Sequence, residues 1–159
     1  MPNPVSDAGL ADRTRAIVAA HAGREGPLLP ILHDIQHAFG HVAEEALRVV
    51  AGELNLSRAE VHGVASFYHD FRSAPAGRHV LKLCRAEACQ AAGGEALAER
   101  ASSTLKLGFG ETSADGMVTL EAVYCLGLCA CAPAAMVDGR VVGRLHKARL
   151  DDLIGECRR

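Results

Sequence analysis

The sequence predicts an α+β chain, a small helical bundle followed by a domain that mixes strands and helices. Three observations predict it. From about Leu10 to Phe71, apolar side chains recur at helical spacing in a background rich in alanine, leucine and arginine. Ser73-Ala-Pro-Ala-Gly77 then interrupts the pattern, since proline and glycine close together suit a turn or linker. Beyond it, short β-compatible runs alternate with helical ones. The expected division is a helical bundle over residues 1–73 and a second domain over residues 74–159.

Within the bundle the clearest segment starts at Pro27, a good first helical residue, and carries Leu28, Leu32, Ile35 and Phe39 on one face before Gly40 ends it. A second helix, from about Ala43 to Ala51, turns Ala46, Leu47 and Val50 inward, with Gly52 as its stop. Ser57-Arg-Ala-Glu60 matches a capping box, in which serine and glutamate side chains satisfy free amides at a helix start. Three or four helices are therefore expected.

In the second domain His79-Val-Leu-Lys-Leu83 reads as a strand that runs straight into Cys84, and Cys89 as lying near the start of a helix that extends to about Leu105. A helix start would favour thiolates through its free amides and partial positive charge. Glu111 to Gly116 reads as a turn, and Met117 to Val123 as a strand delivering Cys125. Asp138-Gly139 between Ala134–Val137 and Arg140–Arg144 is a strong hairpin signal. A last helix from about Lys147 sets Leu150, Leu153, Ile154 and Cys157 at core spacing.

Four cysteines carry the chemistry. Cys84 and Cys89 are separated by four residues, Cys125 and Cys129 by three, and the two pairs by 35. Two short thiol pairs brought together across a long loop can enclose an inorganic group, and the glycine and alanine spacers let backbone amides approach anionic sulfur. Three occupants come into consideration. Structural zinc usually uses at least one tight two-residue knuckle, and both pairs are wider. A disulfide framework belongs to small secreted chains, and Met1 to Gly9 shows neither the basic start nor the apolar run of a secretory leader. An iron–sulfur cluster takes four thiolates, and a wide first spacing also opens the plant-type ferredoxin pattern. The cluster is the favoured occupant.

The order of these spacings, with Cys125-Leu-Gly-Leu-Cys129 followed by Ala132-Pro133 and an apolar strand, resembles the thioredoxin-like 2Fe-2S family. That family includes the cluster subunit beside the flavin subunit of respiratory complex I, its counterparts in NAD-reducing hydrogenases, and the gamma subunit of soluble NAD-dependent formate dehydrogenases. Leu28 to His33, Ser57 to Val64 and Ser66-Phe-Tyr68 resemble the family's helical segment. Arg85 to Gln90 and Leu126 to Pro133 are most similar to the formate dehydrogenase gamma subunit.

The resemblance implies a thioredoxin-like second domain and one 2Fe-2S cluster held by Cys84, Cys89, Cys125 and Cys129. It also implies a neighbouring subunit with FMN and NAD, against which the helical bundle docks. A further large subunit would bear iron–sulfur clusters or a molybdenum cofactor. On this reading the isolated chain carries electrons and is not itself catalytic. Gly108-Phe-Gly110 lacks the third glycine of a dinucleotide fingerprint, which agrees with NAD binding elsewhere. Pro133 occupies a place resembling the cis-proline of thioredoxin-like folds.

Composition limits the other function classes. At 159 residues, about half of them apolar, the chain can build a real core. A formal charge of −2 with no basic block lacks the footprint of a nucleic-acid binder. No apolar run approaches a membrane span, and free thiols need a reducing compartment, so the cytoplasm is expected. Thioredoxin-type dithiol chemistry wants two residues between its thiols, a spacing neither pair has. Cys157 reads as a small core residue. Cys131 could pack beside the site, tune it, or stand in as a ligand. His33 and His37 lie one turn apart but opposite the apolar stripe, as a solvated or subunit-facing pair, and His62 and His69 could meet a partner.

Overall fold

The computed structural model describes residues 7–159, with side-chain surroundings from residue 9 on. All but the last three residues of Met1 to Gly9, the stretch read for a leader, lie outside the described residues. The chain divides into two compact units, one ending at Pro75 and the other beginning at Ala76, within the proline–glycine stretch. Each is described by itself.

Among the described residues the first unit contains four helices: α1 (Asp7–Ala20), α2 (Leu28–Phe39), α3 (Glu44–Leu54) and α4 (Arg58–Phe67). Their common core is Val18, Ile31, Leu32, Ile35, Val42, Ala46, Leu47, Val50, Ala51 and Val61. On α2 the buried stripe is Ile31, Leu32 and Ile35, with Leu28 and Phe39 packed at its margins. Ile31 joins because a helix face wider than a single row takes adjacent positions, and each such side chain contributes about 1.5–3 kcal/mol of burial. Pro27 is the cap residue and not the first helical one; Gly40 ends the helix at φ 79°, its amide donating to the Gln36 carbonyl at 2.7 Å.

Gly52 does not stop α3, contrary to expectation. The helix runs on to Leu54, and Asn55 terminates it in the left-handed conformation at φ 52°. Asparagine tolerates that region better than most residues, so the stop lies three positions further on. The Ser57–Glu60 capping box is present: the Glu60 amide donates to Ser57 Oγ at 3.2 Å, and the Ser57 amide to Glu60 Oε2 at 2.8 Å. After α4, Gln36 holds the returning chain by donating to the Asp70 carbonyl and accepting from the Arg72 amide.

The second unit is a five-stranded mixed sheet covered by helices. Its elements are β1 (His79–Cys84), α5 (Glu87–Ala91), α6 (Gly94–Leu105), β2 (Glu111–Thr112), β3 (Val118–Val123), β4 (Ala135–Val137), β5 (Arg140–Val142) and α7 (Lys147–Cys157). The strand order is β2-β3-β1-β4-β5. β1 and β3 are parallel, His79 opposite Val118 and Cys84 opposite Val123, and the other pairings are antiparallel. Leu81, Leu83, Val118, Leu120, Ala135 and Val137 form the sheet side of a core. The helical side is Leu97, Ala98, Ala101 and Leu105 of α6 with Leu150, Leu153, Ile154 and Cys157 of α7.

Two expectations are corrected here. The helix after Cys84 is two helices, because Gly93 at φ 87° turns the chain between α5 and α6. Cys89 therefore sits in a five-residue helix and not at the start of a long one. Glu111 and Thr112 are not turn residues: they pair with Leu120 and Thr119, while Ser113 to Gly116 make the turn. Cys84 is the last residue of β1, and Cys89, Cys125 and Cys129 follow on the segments after the parallel strands β1 and β3. The Asp138-Gly139 hairpin and α7 form as expected, with both turn residues at positive φ. The Ala132–Pro133 peptide bond is cis. Among the described residues no helix is long and apolar enough to cross a membrane.

Candidate functional site

Parallel pairing of β1 with β3 is what brings the two thiol pairs together. β1 ends at Cys84, whose amide donates to the Ala134 carbonyl at 3.0 Å just before β4. The next amide, of Arg85, donates to Val123 at the end of β3 at 2.8 Å. One residue, Tyr124, then separates β3 from Cys125. So a 35-residue gap in sequence closes across one pair of strands.

The two pairs differ in burial. Cys84 and Cys89 are 6% and 2% exposed and form a small apolar cluster with Ala134, bordered by Ala86, Val123, Leu126, Leu128 and Ala132. Cys125 and Cys129 are exposed, with their sulfurs 3.7 Å apart. The loop between them is shaped by Gly127 at φ 74°, whose amide donates to Cys125 Sγ at 3.3 Å. Cys129 opens a single 3-10 turn that ends at Cys131.

The sulfurs sense one another and the backbone. Burial works hardest against ionising Cys84, yet its thiol stays below the ordinary range. The Ala86 amide, the Cys89 thiol and the amides of Leu126 and Cys125 all donate to its sulfur and outweigh that burial. Two of those amides come from the second thiol loop. Cys89 is pushed up by burial and by the neighbouring Cys84 sulfur, and is partly relieved by the Ala134 amide. Cys129 is pushed up by its bond to Cys125, with a further contribution from Cys84. Ionising one thiol thus bears on the ionisation of its neighbours.

The donor set suits an iron–sulfur cluster. It consists of thiols alone, arranged as an inner and an outer pair, with backbone amides aimed at sulfur. Among the described residues no group of three or more His, Cys, Asp or Glu converges on a single-ion position. Four thiols in two pairs are the number and kind of ligand that such a cluster takes.

The remaining candidates lie elsewhere. Cys157 is fully buried in the α6–α7 core. Cys131 is partly buried beside Gly143, and its carbonyl accepts the Arg144 amide. His33 and His37 are both exposed, His33 with its ring 4.9 Å from that of Phe71. His62 stands 3.6 Å from Glu44, and His69 is exposed. Sequence reasoning missed Arg85, Glu95 and Phe109, which surround the first thiol loop, and Gly94, which packs on Cys89. The Gly93-Gly94 doublet was the one available signal, a place where the chain bends or packs backbone to backbone.

Comparison with known proteins agrees with this geometry. The family model described as thioredoxin-like 2Fe-2S ferredoxin matches residues 14–158. A NADH-quinone oxidoreductase subunit of Rhizobium meliloti is 36% identical over 94% of this chain and 89% of its own length. HndA, from the NADP-reducing hydrogenase of Solidesulfovibrio fructosivorans, is 31% identical over 84% of this chain and 78% of its own. Among solved structures, a chain of an NAD+-reducing NiFe hydrogenase in the H2-reduced state superposes with a TM-score of 0.71 at 30% identity. That match covers 83% of this chain, which spans only 22% of the hydrogenase chain. Matched along nearly its whole length, and with four thiols gathered at the ends of β1 and β3, the chain belongs to the thioredoxin-like 2Fe-2S ferredoxin family.

Proposed function

We propose that this chain is a one-electron carrier in a multisubunit NAD-dependent oxidoreductase, with Cys84 and Cys89 holding one iron of a 2Fe-2S cluster and Cys125 and Cys129 the other. The observation that carries the proposal is the convergence of two thiol pairs at the ends of the paired strands β1 and β3. When bound, the cluster supplies reversible one-electron redox chemistry. The chain's own residues hold it. Cys84 and Cys89 anchor it on the apolar side and exclude water there. Cys125 and Cys129 present its other side to a partner. The amides of Ala86, Leu126, Gly127 and Ala134 offset negative charge on sulfur.

A single-electron carrier belongs beside a flavin, which exchanges electrons singly with clusters and in pairs with NAD. The neighbouring subunit is therefore read as the FMN- and NAD-binding one. The four-helix unit is its docking module, and a large iron–sulfur or molybdenum subunit lies beyond. A reducing compartment, the cytoplasm, keeps the thiols available for iron.

For the donor, formate is favoured by the likeness of Arg85–Gln90 and Leu126–Pro133 to the formate dehydrogenase gamma subunit. A second reading, quinone- or hydrogen-linked, is favoured by the two relatives, one from a NADH-quinone oxidoreductase and one from a hydrogenase. The test is anaerobic purification with iron and labile-sulfide assay and EPR after dithionite, followed by isolation of the tagged chain with its partners. Equal iron and sulfide with a one-spin rhombic signal supports the carrier. Reduction of the isolated complex by formate, hydrogen or NADH then identifies the donor. A chain that stays free of iron and sulfide after reconstitution overturns the carrier, and stoichiometric zinc would replace it with an interaction module.

A further inference from the structure

Arg85 lies between two of the proposed ligands and is tied to four different parts of the second unit. Its amide donates to Val123 at the end of β3 at 2.8 Å, and its carbonyl accepts the Gln90 side-chain amide at 2.7 Å. One guanidinium nitrogen, Nη2, donates to both carboxylate oxygens of Glu95, in the first turn of α6, at 2.8 and 2.6 Å. The same guanidinium lies over the ring of Phe109, 5.0 Å from its centre, and Phe109 packs on the core of the sheet.

An exposed ion pair usually contributes little, because two flexible side chains must be held in one geometry. Here that geometry is already held. The Arg85 side chain is 28% exposed, its Nη2 is shared by both oxygens of Glu95, and the guanidinium rests on an aromatic face fixed by the core. Glu95 also cancels most of the guanidinium's charge, which argues against Arg85 acting as a positive charge on the site. What remains is mechanical. The backbone of Arg85 joins the first thiol loop to the strand that delivers Cys125, and its side chain joins that loop to α6.

We infer that Arg85 is a positioning residue for the four thiols: pinned by Glu95 and Phe109, it holds the Cys84–Cys89 loop in register with the end of β3. The inference rests on the electron-carrier reading only for what the thiols hold. The register itself is a property of the polypeptide.

Arg85→Lys keeps the charge and loses the planar group that rests on Phe109 while reaching Glu95, whereas Glu95→Gln keeps the arginine and weakens the pairing. Both are conservative surface changes, and thermal melting of the purified chain controls for global damage. Amide hydrogen exchange over residues 84–90 and 122–129 should quicken by about tenfold in both variants, the order expected for loss of a charge-assisted pair. In the same preparations the reduced EPR signal should broaden, since a looser loop samples a spread of thiolate geometries. The exchanged pair Arg85→Glu with Glu95→Arg should recover part of both losses.

Exchange in Arg85→Lys equal to that of the unaltered chain would overturn the inference. So would a shift in reduction potential in Glu95→Gln without a change in exchange, which would make Arg85 an electrostatic group instead. If the unaltered chain held no iron or sulfide, the carrier reading would fail, while the exchange data would still decide the role of Arg85.

Discussion

Gly94 lies so close to Cys89 that a Cβ on it would stand 2.5 Å from the Cys89 carbonyl oxygen. That oxygen belongs to backbone, which has no flexible end to swing away. The packing explains why the helix breaks after α5: Gly93 turns the chain, and Gly94 lets α6 begin directly against the residue that carries the thiol.

Gly94→Ala is therefore expected to cost about 1–3 kcal/mol, as overpacking does, and to lower the iron retained per chain by moving Cys89. Gly52→Ala is the contrast, since Gly52 sits inside α3 with open space around it and should stabilise by about 0.5–1 kcal/mol. Urea unfolding with iron assay on each variant checks both.

Cys129 and Cys131 should behave differently although one residue separates them. Cys131→Ser is expected to keep full iron and sulfide with an unchanged EPR signal, because Cys131 is partly buried against Gly143, with its carbonyl bonded to the Arg144 amide. Cys129→Ser should lose most of the cluster or shift its signal markedly. Equal loss in both variants would make Cys131 part of the site.

Burial pushes the Cys157 thiol up to about 11 from an ordinary 9.0, with Asp138 and Glu156 adding to the effect. In the unfolded chain the thiol ionises first as pH rises, so its contribution to stability is fully present below about 9 and is lost toward 11. Denaturant midpoints measured across that window should fall less steeply in Cys157→Ala than in the unaltered chain. At neutral pH a thiol reagent should leave Cys157 unlabelled until the chain unfolds.

Ser57→Ala removes the side-chain half of the capping box at the start of α4 and should cost about 1 kcal/mol. Thermal melting followed by circular dichroism would show it. The Glu60 carboxyl is held below its usual range by its bonds to Ser57, so its contribution to stability is full above the ordinary carboxylate range and is lost as pH falls from there through the lowered folded value.

What the amino-acid sequence determined by itself is what interactions a few residues apart determine. The Ser57–Glu60 box, the Gly40 stop, the Asp138-Gly139 hairpin and the face of α7 each depend on neighbours in sequence, so spacing alone reveals them. The two thiol pairs are legible for the same reason. Tertiary structure decided how those pairs differ. Cys84 and Cys89 became the buried pair, and Cys125 and Cys129 the exposed one, because β1 runs between β3 and β4 and ends beneath the loops of both. The amides of Leu126 and Cys125 reach Cys84, and that of Ala134 reaches Cys89, only through that strand order. Hydrogen bonds across dozens of residues leave no periodic trace in the chain, since any residue with a backbone amide could have supplied them.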